Sequence, residues 1–235
     1  MTAGGGASSL DLLAIRGLDL LFSLAALLIF SPLLVLVAIL LRFSGEREVF
    51  YRQIRIGKGG REFYLLKFAT MMKNSPAIGS GELTLPNDTR VLPLGRVLRK
   101  TKLNELPQLL NIVAGDLSLI GPRPQTLRYY NCYRPVDRAL IDTIRPGLSG
   151  VGSILFRDEE TLLSKVTDPI TFDDQVITPY KGQVEHWFAV NQSVGLYFEL
   201  IFTTVLVVLM PSAGLHQRLL RLVPPPPTEL YKLLE

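Results

Sequence analysis

The sequence predicts a mostly α-helical α+β protein held on a membrane, and three observations lead there. Leu20–Leu41 runs without a charge for about 22 residues, roughly 33 Å of helix and enough to cross a bilayer. Two short β-like runs, Val49–Tyr51 and Phe63–Phe68, flank Gly57-Lys58-Gly59-Gly60, which reads as a small hairpin. Leu98, Leu103, Leu106, Leu109, Leu110 and Val113 then recur near helical spacing, predicting a helix over Arg96–Val113.

Composition narrows the function classes. Hydrophobic residues make 48% of the 235-residue chain and charged ones 20%, below the roughly 25% of soluble domains. Such a chain buries enough apolar area to exclude disorder, and with one long apolar run it is no polytopic transporter. A single cysteine, Cys132, and two histidines, His186 and His216, exclude a disulfide scaffold and a Cys/His metal centre. Any metal is therefore a hard cation on oxygen ligands. The net charge of +4 is mild, but Arg42, Arg47, Arg52, Arg55, Lys58, Arg61, Lys67 and Lys73 follow directly after the apolar run. That placement fits cytoplasmic retention or contact with anionic lipid and opposes an exported domain on a single-pass anchor. No basic patch interleaved with aromatics marks a nucleic-acid surface.

Taken in order, residues 1–15 are a Gly/Ala/Ser-rich flexible lead. Residues 16–44 hold the membrane helix, with Phe30-Ser31-Pro32 at its centre. Pro32 removes a backbone donor and kinks the helix, and Ser31 can bond a freed carbonyl. Physics alone favours an ordinary spanning helix with a tolerated kink. A hairpin of two arms, entering and leaving on one side, is the alternative. Residues 45–190 form the cytoplasmic domain, with a polar loop at Gly79–Asp88, helices over Tyr129–Ile144 and Glu159–Lys165, and an amphipathic helix over Tyr180–Val190. Residues 191–223 carry helices read as interfacial: Leu200–Met210 is too short to span and is either a core helix or one lying at the interface, and the tail's low polarity favours the interface. Residues 224–235, opened by Pro224–Pro227, are a proline-rich tail that ends the fold.

Chemistry concentrates in Lys102-Leu103-Asn104-Glu105-Leu106-Pro107-Gln108. Asn104 is a good N-cap and Pro107 is tolerated only in a first turn, so a helix starts near Asn104 and offers its positive end to phosphate. Arg99, Arg123 and Arg145 sit near or within proline-stiffened loops that could converge there, where a guanidinium fork suits phosphate. Singly, each arginine reads better as a surface charge. The acids Asp158-Glu159-Glu160 read as a solvated helix start rather than catalytic groups.

In order, the chain also carries Arg16-Gly17-Leu18-Asp19-Leu20, Phe30-Ser31-Pro32, Leu66-Lys67-Phe68-Ala69-Thr70-Met71, Leu103-Asn104-Glu105-Leu106-Pro107-Gln108-Leu109, Gly115 to Pro124 with Gly121-Pro122-Arg123-Pro124, and Arg145-Pro146-Gly147. In these it resembles the bacterial sugar transferases of the monotopic phosphoglycosyl transferase superfamily, from about Arg16 to Met210. The resemblance implies transfer of a sugar 1-phosphate from a nucleoside diphosphate sugar, typically a UDP-sugar, to a polyprenyl phosphate. It places the enzyme at the cytoplasmic face of the bacterial inner membrane, as the first membrane step of a polysaccharide or glycoconjugate pathway. It further implies magnesium, a re-entrant helix broken at Ser31–Pro32, and an Asp-Glu pair whose aspartate attacks the donor phosphate.

The chain departs from that pattern at the nucleophile, where it has Asn104. Glu105 matches the glutamate. An amide is a very poor nucleophile and a weaker magnesium ligand than a carboxylate. The segment after Gly150 and Ala69 depart as well, which suggests a diverged subgroup. The expected roles are Glu105 as magnesium ligand and catalytic group, Asn104 as a hydrogen-bond partner of a phosphate oxygen, and Arg99, Arg123, Arg145 and Lys67 as donor-phosphate ligands. The competing reading is an impaired relative that binds donor and scaffolds a partner enzyme. A homodimer is left open.

Overall fold

The computed structural model describes residues 7–78, 88–210 and 216–234. Residues 1–6 of the lead, and all of the expected polar loop except Asp88, lie outside them. Helix α1 (Ser9–Arg42) begins well before residue 15, because Ser8 and Asp11 form a reciprocal cap: Ser8 Oγ accepts the Asp11 N–H at 3.1 Å and the Asp11 carboxylate accepts the Ser8 N–H at 3.1 Å. The expected break at Ser31–Pro32 does not divide α1, which runs through Pro32 as one element. Pro32 has no N–H to give the Leu28 carbonyl, and Ser31 Oγ donates to that oxygen instead at 2.8 Å.

Both ends of α1 pack on the same domain. Near its start Ile15, Asp19 and Ser23 are buried; near its end Val37 and Leu41 are, against Phe68 and Leu98. Asp19 Oδ1 accepts from Ser118 Oγ (3.0 Å), the Leu119 N–H (2.9 Å) and Tyr197 Oη (2.9 Å). The opposite face of α1 exposes Leu13, Leu21, Leu28, Ile29 and Val35. Among the described residues α1 is the one helix long and apolar enough to cross a membrane.

The hairpin forms as expected and is longer: β1 (Phe50–Ile56) pairs antiparallel with β2 (Glu62–Phe68), Phe50 opposite Phe68 and Ile56 opposite Glu62. The single helix expected over Arg96–Val113 is two, α2 (Pro93–Lys100) and α3 (Gln108–Ala114). Lys102 turns the chain left-handed at φ 59°, a single 3₁₀ turn covers Leu103–Glu105, and Pro107 precedes α3. In a continuous helix the Pro107 ring would collide with the Leu103 carbonyl. Asn104 therefore sits in the connecting turn and does not cap α3, whose cap position is Pro107.

Strand β3 (Ser118–Ile120) pairs parallel with β4 (Gly147–Ser149), a pairing that the sequence reading did not anticipate. Pro135 divides the helix expected over Tyr129–Ile144 into α4 (Leu127–Cys132) and α5 (Pro135–Ile141). After α6 (Val151–Leu155), α7 (Glu159–Leu163) and α8 (Pro169–Phe172), a π-helical turn at Asp173–Ile177 leads into α9 (Thr178–Asn191) and α10 (Val194–Leu209). The last described elements are α11 (His216–Leu220) and α12 (Thr228–Leu234).

The main core lies among α6, α7, α9, α10 and α12, where Val151, Leu163, Val184, Leu200 and Leu230 are fully buried. Contrary to expectation the proline run does not end the fold: α12 returns Leu230 and Leu234 to the core, and Tyr180 Oη donates to the Pro224 carbonyl at 2.8 Å. Helix α10 is half in and half out. Tyr197, Leu200 and Val207 are buried while Phe202 and Leu209 are exposed beside α1, with Phe22 and Phe198 in edge contact at 6.4 Å.

Candidate active site

The site is built on the hairpin, α3 and the loop after β3. Asn111 on α3 ties the first two together: its Oδ1 accepts the Leu66 N–H at 3.0 Å and its Nδ2 donates to the Tyr64 carbonyl at 2.8 Å. Leu65, Leu109, Ile112 and Leu117 fill the space behind. This fixes Lys67 of β2 against the turn that carries Glu105.

The Gly121–Gln125 loop is held from several sides. Gly121 N–H donates to the Ser149 carbonyl (2.9 Å), Gly147 N–H to the Pro122 carbonyl (2.7 Å) and Ile56 N–H to the Gln125 carbonyl (2.8 Å). Arg55 Nη1 reaches the Pro124 carbonyl at 3.1 Å. Three glycines interlock at its base. A Cβ on Gly121 would lie 2.5 Å from the Arg145 carbonyl oxygen, one on Gly147 2.1 Å from the Gly121 nitrogen, and one on Gly150 2.2 Å from the Gly121 oxygen.

A small pocket results, lined by Arg55, Lys67, Glu105, Gln108, Arg123 and Leu148 among others. It holds one carboxylate among cations. Burial alone would raise the Glu105 carboxyl, but Arg123, Lys67, Lys102 and Arg99 together outweigh it and hold Glu105 below the usual range. Burial, with the field of Arg55 and then of Arg123 and Arg99, brings the Lys67 ammonium down to about 7, against the pull of Glu105. Excess positive charge in a confined space is a setting for a phosphate-bearing anion.

Asn104 is buried at 6% exposure, and its Oδ1 has no hydrogen-bond partner among the described residues. Among those residues no group of three His, Cys, Asp or Glu side chains stands together, so no all-protein metal cage exists there. A hard divalent cation that keeps most of its shell on substrate phosphates needs only one or two protein oxygens. The Glu105 carboxylate and the orphaned Asn104 oxygen fit that modest demand.

The structure brings Lys67, Glu105 and Arg123 into one pocket, with Asn104 beside Glu105 in the chain. Arg99 is near enough for its field to act on both Lys67 and Glu105, yet its guanidinium is engaged by Glu160 Oε1 at 3.3 Å and Met71 Sδ at 3.7 Å. Arg145 lines no part of the pocket; its Nε donates to the Gly115 carbonyl at 3.0 Å, at the far end of α3. Arg16 caps the same end through the Ile112 (2.7 Å) and Val113 (3.1 Å) carbonyls. Ser31 and Pro32 are remote, inside α1. Of the acids, Glu159 pairs with Lys181 and Glu160 with Arg99, so both are ion-pair partners rather than a free acidic patch. Sequence reading missed Arg55, read only as one charge of a basic run, and Glu185, whose Oε1 accepts the Arg123 N–H at 3.2 Å.

The profile of the bacterial sugar transferases matches residues 10–211. The chain belongs to that family. Among its relatives, the exopolysaccharide production protein ExoY of Rhizobium meliloti is 39% identical over 181 residues, 70% of this sugar transferase and 77% of ExoY. A UDP-N-acetylgalactosamine-undecaprenyl-phosphate N-acetylgalactosaminephosphotransferase of Aeromonas hydrophila is 37% identical over 145 residues, 60% of this chain and 33% of that protein. A UDP-glucose:undecaprenyl-phosphate glucose-1-phosphate transferase of Escherichia coli is 31% identical over 189 residues, 78% of this chain and 39% of the other. The sugar transferase thus spans only a third or so of the length of these two phosphotransferases.

Proposed function

We propose that this sugar transferase moves a sugar 1-phosphate from a nucleoside diphosphate sugar, a UDP-sugar by analogy with its relatives, to a polyprenyl phosphate. The product opens a polysaccharide or glycoconjugate pathway. The observation that carries this reading is the pocket of Lys67, Arg123 and Arg55 around Glu105, built on the domain that carries α1 with its exposed apolar face. One oxygen of the acceptor phosphate attacks the donor's β-phosphorus, the bond to the bridging oxygen breaks, and the nucleoside monophosphate leaves with the electron pair. Arg123 and Lys67 neutralise the charge that builds on the leaving phosphate, which is most of the work in phosphoryl transfer. Glu105 and Asn104 Oδ1 would hold magnesium against the diphosphate. The cation would supply Lewis-acid neutralisation of phosphate charge.

Asn104 offers no nucleophile, so the transfer is direct and both substrates must be bound together. Asn104→Asp, which supplies a carboxylate in a cation-rich pocket, is expected to change sequential kinetics to ping-pong and to give an adduct with donor alone; unchanged sequential kinetics would count against this alignment of the turn.

The domain rests on the cytoplasmic leaflet of the bacterial inner membrane with α1 re-entrant, bent within its single helical element at Pro32, where the Leu28 carbonyl has lost its backbone donor. Burial of both ends of α1 on one domain supports this, as does the apolar face along its length. A spanning helix would carry one end away from the domain. Cysteines placed before Ser8 should label only from the cytoplasmic side, and periplasmic labelling would overturn this topology.

The activity itself is tested with the purified protein, a panel of UDP-sugars, undecaprenyl phosphate and magnesium. UMP release is expected only when both substrates are present. Donor binding without turnover would favour the scaffolding reading instead.

A further inference from the structure

Beneath the arginine loop lies a carboxyl that the transfer chemistry does not use. Glu185, on α9, is 1% exposed. Its Oε1 accepts the Arg123 backbone N–H at 3.2 Å, while its Oε2 is buried with no hydrogen-bond partner among the described residues. The fold makes room for it: a Cβ on Gly152 of α6 would stand 2.3 Å from Glu185 Oε1. A buried carboxyl with a single hydrogen bond is costly in its ionised form. It has been given a fitted niche directly under the residue that faces the donor.

We propose that Glu185 is a positioning residue for the donor diphosphate: its carboxyl fixes the backbone from which Arg123 reaches the phosphates, and it takes up a proton when they bind. This rests on the proposed donor pocket. The charge argument is simple. An ionised Glu185 draws on the Arg123 charge that the diphosphate also needs, and a protonated one leaves that charge to the ligand. An anion arriving at Arg123 in turn raises the carboxyl's hold on its proton.

The groups facing Glu185 agree with this. Burial dominates and pushes the carboxyl up to about 7, opposed by the Arg123 N–H and charge and by Lys181 one turn back on α9. From the segment between α4 and α5, buried Tyr133 stands near enough for the two to interact electrostatically. Three acids on the other neighbouring elements are engaged elsewhere. Asp137 of α5 binds Arg134 and His186, and Glu159 of α7 pairs with Lys181. Asp173 of the π-helical turn accepts from Thr178.

The test uses the full chain in detergent, with UDP as the probe. Calorimetry in buffers of different ionisation enthalpy gives both the affinity and the protons taken up. With the carboxyl raised to about 7 in the free protein and protonated throughout in the complex, titration of Glu185 alone weakens wild-type UDP binding about fivefold between pH 7 and pH 8. Glu185→Gln keeps the acceptor for the Arg123 N–H and removes the titration, so that share of the pH dependence and of the proton uptake is expected to vanish. Lys67 titrates in the same window, but equally in both proteins, and cancels in the comparison. Gly152→Ala is the second variant, because it displaces the carboxyl without changing it; UDP affinity is expected to fall severalfold at every pH. Identical proton uptake in wild type and Glu185→Gln would overturn the proposal, as would unchanged UDP affinity in Gly152→Ala. If wild type binds no UDP at any pH, the donor pocket itself is misassigned and this proposal falls with it.

Discussion

The two ends of α3 both gather arginines, and they use them differently. At the Gly115 end, Arg16 and Arg145 donate to three carbonyl groups, those of Ile112, Val113 and Gly115. A helix end leaves its last carbonyls short of backbone donors, and the guanidiniums supply donors at and just beyond this one. At the Glu105 end, Arg123, Lys67 and Glu105 line one small pocket, and Oδ1 of Asn104, the residue before Glu105 in the chain, has no partner among the described residues. One end is saturated by the protein itself. The other has charge to spare for a ligand. An arginine in a proline-rich motif is thus not a phosphate ligand by virtue of the motif; what decides is whether the backbone has already claimed it.

The sharpest way to break the comparison is at the carboxylate. Glu105→Gln is expected to lower kcat by about 10²–10³-fold or more, the scale of losing a group that acts on transition-state charge, in a UMP-release assay at saturating donor. Retained turnover would remove Glu105 from the chemistry. Next come the two arginines. Arg123→Ala should lose about 1.5–3 kcal/mol of transition-state binding, roughly 10- to 150-fold in kcat/KM for donor, with little change in melting temperature. Arg145→Ala should do the reverse, costing about 1–2 kcal/mol of stability by denaturant titration while kcat/KM of the folded fraction stays within about threefold. Equal kinetic losses in both would erase the distinction between the ends.

A third effect concerns stability. The folded-state proton affinity of Glu185 is raised, from 4.5 to about 7, so the native chain binds the extra proton and loses stability as pH rises through that window. From pH 5 to pH 8 the stability difference should move in favour of Glu185→Gln by on the order of 2–3 kcal/mol, read as denaturation midpoints across pH. The smallest effect belongs to exposed Arg61, beside the hairpin turn. Arg61→Ala should leave stability within about 0.5 kcal/mol and donor kinetics unchanged.

Much of this was readable in the chain. The hairpin, α7 and α9 follow from local pattern and turn residues, whereas the pattern around Pro107 marked a helix start at Asn104 and missed the turn that carries Asn104 and Glu105 ahead of α3. What was not readable depends on partners far away in sequence. Arg145 looks like a loop arginine until Gly115 is seen beside it, 30 residues back. Asp19 looks like a charge flanking a membrane segment until its three donors arrive, from residues about 100 and 178 positions onward. Glu185 sits in an amphipathic helix, where periodicity places it on no special face. The β3–β4 pair is three residues long on each side, too short to show alternation. The proline tail reads as a terminus because nothing local announces that Leu230 will find a place in the core.

The three glycines at the base of the arginine loop carry a consequence for how this family can vary. Gly121, Gly147 and Gly150 each occupy space that a neighbour's backbone would otherwise forbid, and backbone cannot swing aside as a side chain can. Gly121 and Gly150 line no part of the donor pocket; Gly147 does, yet the overlap that a Cβ would create there is with backbone rather than with a ligand. In a deep mutational library selected for polysaccharide production, all three positions should be depleted of every alternative residue, alanine included. Paired changes should not rescue them, since adding a second Cβ relieves no overlap created by the first. Divergence within this lineage is therefore channelled to the residues that the joint presents, while the joint itself stays closed to exploration.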